Sequence, residues 1–211
     1  MSSTFTVILP HKRNPGNDAA LTICMDMLKA NTVSDNFEIL ISCVRDGLLF
    51  PTIDRLFRQA ETEYLVFWNS DMFPAPNWDI LMLEQAAHDV IVNPVLVEPG
   101  AIGLYAENLL MDFGRRPDTF RRDEFEEWSQ SENASVPDGE GFFAPYMIAR
   151  QRYLDLGGFD LTGDLTGFVG RDMDLYAAHK ANGGRVVRVG AYVYHLQRYS
   201  ELTEQQKENR Q

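Results

Sequence analysis

The sequence predicts an α/β domain whose central sheet is mostly parallel, with helices on both faces. Strand-like and helix-like segments alternate across residues 4–92, the rhythm of βαβ units. The most apolar strand candidate, Glu-Tyr-Leu-Val-Phe-Trp at residues 63–68, has no polar face; an interior strand covered by helices on both sides reads that way. The scale agrees. A chain of 211 residues with 45% hydrophobic and 24% charged side chains has the usual make-up of one globular domain, and at this length folding removes about 70% of the unfolded surface from water.

Residues 4–9 form a β-rich run that Pro10 is expected to end. Residues 18–30 place Ala20, Ile23, Cys24, Met27 and Leu28 at helical spacing, with Asn17 or Asp18 as the N-cap. A second strand covers 37–44, and a short helix covers 51–60 with Pro51 in its first turn, where the missing N–H costs nothing. After the 63–68 strand come a helix over 77–88 and a strand over 89–92. Residues 112–140 change character, with nine acids, four arginines and few aliphatics. They read as an exposed, partly helical excursion lying as a flap over the site. Beyond it, 141–149 reads as a strand, 150–156 as a short helix, 157–160 as a turn and 172–182 as a helix. Residues 186–189 and 192–195 are two last strands. The polar tail after Ser200 is expected to fray.

The formal net charge is −12. Nucleic-acid binders and proteins held by anionic lipid normally present a basic face, so both classes are disfavoured. No run approaches the roughly 20 apolar residues of a membrane span, and the first five residues lack a signal-peptide pattern. The expected setting is cytoplasmic. Cys24 and Cys43, each in an apolar segment, are expected to be reduced core thiols.

Ligands of parallel sheets bind at the carboxyl ends of the strands. Those ends carry Pro10-His11-Lys12-Arg13 and Asn69-Ser70-Asp71. A carboxylate at position 71 is placed to hold a hard divalent cation bridging two phosphates; the same tripeptide is also ordinary turn chemistry. His11 and Arg13 either meet a nucleotide or form a polar turn. Gly170-Arg171-Asp172-Met173-Asp174-Leu175 opens a helix, where carboxylates serve the macrodipole. Positions 172 and 174 lie about 200° apart around a helix, so only one faces a ligand. That division suits a single general base. His195 ends its strand as a half-buried satisfied residue or as a metal ligand, while His88 and His179 read as structural or exposed. Trp128 either offers a stacking platform to a sugar or pins the excursion to the body.

The order and spacing of these pieces resemble the family-2 glycosyltransferases of GT-A fold across nearly all of residues 4–196. The pieces are Val7-Ile8-Leu9-Pro10, then Tyr64-Leu65-Val66-Phe67-Trp68-Asn69-Ser70-Asp71 before Pro74 and Trp78. Gly141-Phe142-Phe143 with Arg150 and Leu156-Gly157-Gly158-Phe159-Asp160 follow. The series closes with the Gly170–Leu175 run and Tyr194-His195. Each is short, and the signal lies in six of them in the family's order.

The resemblance implies a single GT-A domain with a smaller acceptor-side sheet beside the main one. Residues 4–92 would be the nucleotide-sugar half, 93–196 the acceptor and catalytic half, and 197–211 a tail. It implies an inverting transfer from a nucleoside-diphosphate sugar, with UDP as the expected nucleotide, to a glycan or other hydroxyl acceptor. Asp71 and His195 would hold Mn²⁺ or Mg²⁺, and Asp172 would be the base. Pro10, His11, Arg13, Asn69, Ser70, Asp71 and Arg171 would line the donor, and Asp174 and Trp128 the acceptor.

Three departures are visible. Asn69 replaces the first aspartate of the family's Asp-x-Asp motif, removing one formal charge from the metal site. Arg171 stands where a glutamate is usual, free to pair with the diphosphate or with Asp172. Ser42-Cys43-Val44-Arg45-Asp46-Gly47 replaces the family's Asp-Asp-Gly-Ser stretch, which helps read the base. The rival readings are a catalytically silent GT-A domain that binds a nucleotide sugar or a partner, and a nucleotidyltransferase. The latter wants a glycine-rich basic loop after the first strand, and Pro10 to Asn17 offers only Gly16.

Overall fold

The computed structural model of the chain describes residues 4–44, 48–100, 108–131, 136, 139–140, 144–162 and 171–196. The elements run β1 (Phe5–His11), α1 (Pro15–Asn31), β2 (Phe37–Cys43), α2 (Leu49–Gln59), β3 (Tyr64–Phe67) and β4 (Met72–Pro74). They continue as α3 (Trp78–Leu83), β5 (Val90–Glu98), β6 (Leu109–Leu110), a 3-10 turn (Pro117–Thr119) and α4 (Arg122–Ser129). The last are β7 (Tyr146–Ala149), α5 (Arg150–Asp155), α6 (Arg171–Ala181) and β8 (Arg185–His195). The described strands form one sheet in the order β2-β1-β3-β7-β5-β8-β4, with β6 on β5. Every residue of β1 and of β5 is buried, so the sheet is covered on both faces, as expected. Among the described residues no helix is long and apolar enough to cross a membrane.

Parallel pairing joins β1 to β2 and β3, and β5 to β6 and β8; β7 runs antiparallel between β3 and β5, and β4 antiparallel on β8. From β1 the chain goes outward to β2, then returns to lay β3 on the other side of β1. This reversal of direction opens a crevice at the carboxyl ends of β1 and β3.

Pro10 does not end β1 as expected. Trp68 N donates to Ile8 O at 3.0 Å, and Val44 N donates to His11 O at 2.8 Å, so residues 8 and 10 face the β3 side. The β3 register stops at Phe67 opposite Ile8. The N–H that proline lacks would therefore point where no strand continues, a position that tolerates it.

Other boundaries move for local reasons. The N-cap of α1 is Asn14, whose side chain accepts from Asn17 N at 2.8 Å, with Pro15 opening the helix. The helix expected over 77–88 stops at Leu83, where tighter turns take over (Gln85 N to Met82 O, Ala86 N to Leu83 O). In compensation β5 runs on through Pro94 to Glu98. The two last strands are one continuous β8. Its register against β5 shifts between Asn93/Arg188 and Val95/Tyr192, so Val189, Gly190 and Ala191 bulge opposite Pro94. Past the bulge, Tyr192 to His195 pair with the distal half of β5 and with β4. The smaller sheet expected beside the main one is this continuation. Residues 141–143, 163–170 and 197–211 of the sequence reading lie outside the described residues.

The acidic excursion is anchored rather than a loose flap. Phe113, Phe120, Phe125 and Trp128 pack on Tyr192 and Tyr194 of β8, with ring centroids 4.7–6.4 Å apart including Phe120 on Phe73. The Tyr194 hydroxyl donates to Gly114 O at 2.6 Å and accepts from Phe113 N at 3.1 Å. Charged groups cover the outer face of α4, including the Arg122–Glu126 pair at 2.7 Å. Phe125, fully buried, is the centre of this contact. Phe125→Ala is expected to lower the unfolding free energy by about 3–5 kcal/mol, read by urea denaturation.

The far end of α6 is tied down by a buried histidine. Arg152 donates from Nε to His179 Nδ1 at 3.1 Å and from its terminal nitrogen to His179 O and Asn182 O. An arginine can only donate, so Nδ1 is the acceptor and Nε2–H donates to Arg185 O at 3.0 Å. Burial, with Arg152 adding to it, holds this imidazole below its ordinary value of 6.5. Below that value the unfolded chain takes a proton the folded chain refuses, so stability is full above it and falls as the pH drops. Melting temperature is expected to decline between pH 6.5 and 5 more steeply in the wild type than in His179→Gln, whose amide makes the same bonds without titrating.

Candidate active site

Beyond β3 the chain passes through buried Trp68 and turns. Met72 N donates to Asn69 O at 3.2 Å, Trp68 Nε1 donates to Met72 O at 3.0 Å, and Leu196 N donates to Asp71 O at 3.0 Å. These bonds hold Asn69, Ser70 and Asp71 at the mouth of the sheet, with Ser70 and Asp71 buried and Asn69 half-buried. Cys24 lies beneath, its Sγ 3.9 Å from Asn69 O. Burial foremost, and then the Asp71 charge, pushes its thiol far up. It is the core thiol expected. Cys43, at the end of the edge strand β2, is exposed, contrary to expectation.

Asp71 meets His195 because β4 pairs with the end of β8, Met72 opposite His195. His195 Nε2 lies 4.0 Å from Asp71 Oδ2, too far for a hydrogen bond. Its Nδ1 lies 2.7 Å from Glu98 Oε1. Glu98 closes β5, is 3% exposed, and accepts from Asn108 Nδ2 at 2.9 Å through its other oxygen. The Glu98 carboxylate accepts a hydrogen bond from Nδ1–H, which directs Nε2 toward the Asp71 carboxylate. The imidazole thus stands between two carboxylates, those of Glu98 and Asp71. Among the described residues no group of three His, Cys, Asp or Glu side chains is arranged to hold a metal alone. Glu98 was not foreseen in the sequence. The signal available was a lone acid closing a nine-residue strand buried throughout.

The other donor-side candidates are dispersed along the neighbouring strand end. Pro10 is buried within β1. His11 is buried, with Nε2 2.6 Å from Asp18 Oδ1 and no hydrogen-bond partner for Nδ1 among the described residues. Arg13 is exposed past the strand.

The helix α6 supplies the third group. Asp172 is 8% exposed and its Oδ1 accepts from Met173 N at 3.0 Å. Asp174 is exposed, so the two acids part as their spacing requires. Arg171 donates to Thr162 O at 2.6 Å and lies 3.8 Å from Asp160 and 3.7 Å from Asp174. These described ion pairs differ from the Asp172 pairing considered from sequence. Tyr176, one helical turn on from Asp172 on the buried face of α6, has its ring 5.5 Å from that of Tyr146, and Tyr146, on β7, sits opposite Phe67. Asp172 therefore belongs to the same end of the sheet as the 69–71 turn. Trp128 is half-buried, its ring 5.2 Å from that of Tyr192 and 5.7 Å from that of Phe113. That packing joins the excursion to β8.

No protein-family model and no curated protein sequence matches the chain. By structure it is similar to GalNAc-T7, solved with UDP, GalNAc and Mn²⁺, at TM-score 0.55 and 13% identity over 92% of this chain and 44% of that one. It is also similar to residues 1–349 of S. aureus TarS, solved with UDP-GlcNAc, at TM-score 0.57 and 11% identity over 93% of this chain and 61% of that one. The chain thus spans about half the length of these two proteins. The likeness shows the fold: a GT-A-like α/β architecture over almost all of the sequence.

Proposed function

We propose that this GT-A-like chain is a glycosyltransferase of the inverting, family-2 type. It would move a sugar from a nucleoside-diphosphate sugar, UDP-linked in the first instance, to an acceptor hydroxyl. The single observation that carries this reading is the Glu98–His195–Asp71 arrangement at the carboxyl ends of β5, β8 and β3. It is supported by two neighbours in fold that were solved with UDP or a UDP-sugar, one of them with Mn²⁺.

In this reading Asp71 and His195 would hold Mn²⁺ or Mg²⁺. The ion would supply positive charge against the diphosphate that departs. Glu98 fixes the imidazole tautomer and aims Nε2. Asn69, Ser70 and the end of β1 at Pro10, His11 and Arg13 border the donor; Arg171, with Asp160 and Asp174 beside it, stands at the approach. Asp172 takes the acceptor proton as the acceptor oxygen bonds to the anomeric carbon and the carbon–phosphate-oxygen bond breaks on the opposite face. One base and one leaving group suffice, and no protein nucleophile is needed. The positive end of α6 favours the ionised carboxylate at position 172, so a base is present at neutral pH.

One observation favours a second reading, a silent GT-A domain that only binds its nucleotide sugar. Asn69 removes a charge from the metal site, and the described ion pairs of Arg171 go to aspartates.

Calorimetry of UDP with Mn²⁺ and then with EDTA tests the donor site. Affinity is expected to fall with EDTA and in Asp71→Asn; equal affinity throughout overturns the metal-bridged site. Release of UDP from a panel of UDP-sugars then separates enzyme from binder. Asp172→Asn is expected to lower turnover at least about 100-fold with UDP affinity and melting temperature unchanged. Full activity in that variant removes Asp172 as the base.

A further inference from the structure

Tyr146 is wholly buried, and its hydroxyl has no hydrogen-bond partner among the described residues. Buried hydroxyls are rarely left so, because the lost hydration is not recovered. The ring stands edge-on to Phe67 at 5.7 Å and to Tyr176 at 5.5 Å. Nor is Tyr176 short of a partner, since its hydroxyl exchanges hydrogen bonds with the Asn93 side chain at 2.9 and 3.0 Å. Asn93 is held further by Pro145 O at 3.3 Å.

Asp172 and Tyr176 are four residues apart on α6, one above the other on the buried face. The Tyr146 phenol is held well above its ordinary value by burial first, then by Tyr176 and by the negative charge of Asp172. Tyr176 is raised by burial and feels Asp172 in the same way. Among the described residues, the ionisable groups that feel the Asp172 charge include Tyr146 on β7 and Tyr176 on α6, with Tyr153 of α5 behind Tyr146. Arg171 is adjacent in the chain, its guanidinium turned to Thr162 O, Asp160 and Asp174.

We infer that Tyr146 is the positioning residue of Asp172, its O–H donating to the carboxylate as that side chain rotates off Met173 N. The contact gives the buried hydroxyl its missing acceptor and fixes the direction of the carboxylate. It rests on the reading of Asp172 as the base for its catalytic meaning, though not for its geometry. A donor to the ionised form lowers the pH at which Asp172 takes a proton.

Carbon-13 carboxyl resonances of aspartate-labelled protein test this directly, with the Asp172 signal identified by its loss in Asp172→Asn. Tyr146→Phe is expected to raise the Asp172 midpoint by about one pH unit or more. Melting temperature should stay level or rise, because an unsatisfied hydroxyl is removed and the ring remains. Tyr176→Phe is the packing control. It loses the Asn93 bonds, so its melting temperature falls while the Asp172 midpoint moves less. In UDP release, Tyr146→Phe should lower kcat about tenfold and move its acid limb upward with KM for the UDP-sugar within about twofold. An unmoved midpoint in Tyr146→Phe overturns the inference whatever the activity. A raised midpoint together with full turnover in Asp172→Asn upholds the contact and fails the base assignment instead.

Discussion

At Val193 and Tyr194 the backbone of β8 is paired on both edges, with β5 on one side and β4 on the other, and His195 continues the pairing with β4. That double pairing places His195 beside the end of β5, where Glu98 stands, and opposite Met72, which Asp71 precedes. Side chains alternate strictly along a strand, so a slip of one residue in β8 would carry His195 to the other face of the sheet. The bulge at Val189, Gly190 and Ala191 decides the register. It takes up the mismatch created by Pro94, which has no N–H to give the ladder. The site therefore depends less on any contact within it than on a packing irregularity well below it.

The same dependence explains which parts were legible in the sequence. β-rich runs marked β1, β2 and β3, and helical spacing marked the helices between them, because each of those elements is set by its own residues. Asp71 and His195 were legible as strand-end residues, but not their approach, which a ladder between distant segments creates. Glu98 stayed hidden for a definite reason. Pro94 reads locally as the end of a strand, and β5 continues past it only because β8 bulges to accommodate the ring. Pro10 misled in the same way and for the same physical cause: the missing donor faces a side without a partner strand. The continuity of β8 through Gly190 was likewise a tertiary outcome.

Side chains with two available uses show a second limit. Trp128 lies in an acidic segment, and composition alone left open both a sugar platform and a hydrophobic peg. Its packing against Phe113, Phe125 and Tyr192 brings in three partners that sequence separation conceals. Arg171 had an anionic ligand and Asp172 as expected partners. The fold brings Asp160 to it from the preceding turn, while Asp174 lies one helical turn along. The spacing of 172 and 174 was a firmer guide, because helix geometry separates those two acids regardless of what packs around them.

The insertion of β7 into the sheet has a consequence for synthesis on the ribosome. Strands β1, β2 and β3 emerge together, and their pairing is local. The outer edge of β3, however, waits for β7, whose Ala149 is the partner of Tyr64. About 80 residues separate these strands, so at ordinary translation speeds the nascent chain exposes an unpaired apolar strand edge for roughly 4–16 s. Such an edge is a template for pairing with a neighbouring chain. Crowded polysomes, more than the finished protein, are where this fold is vulnerable to aggregation.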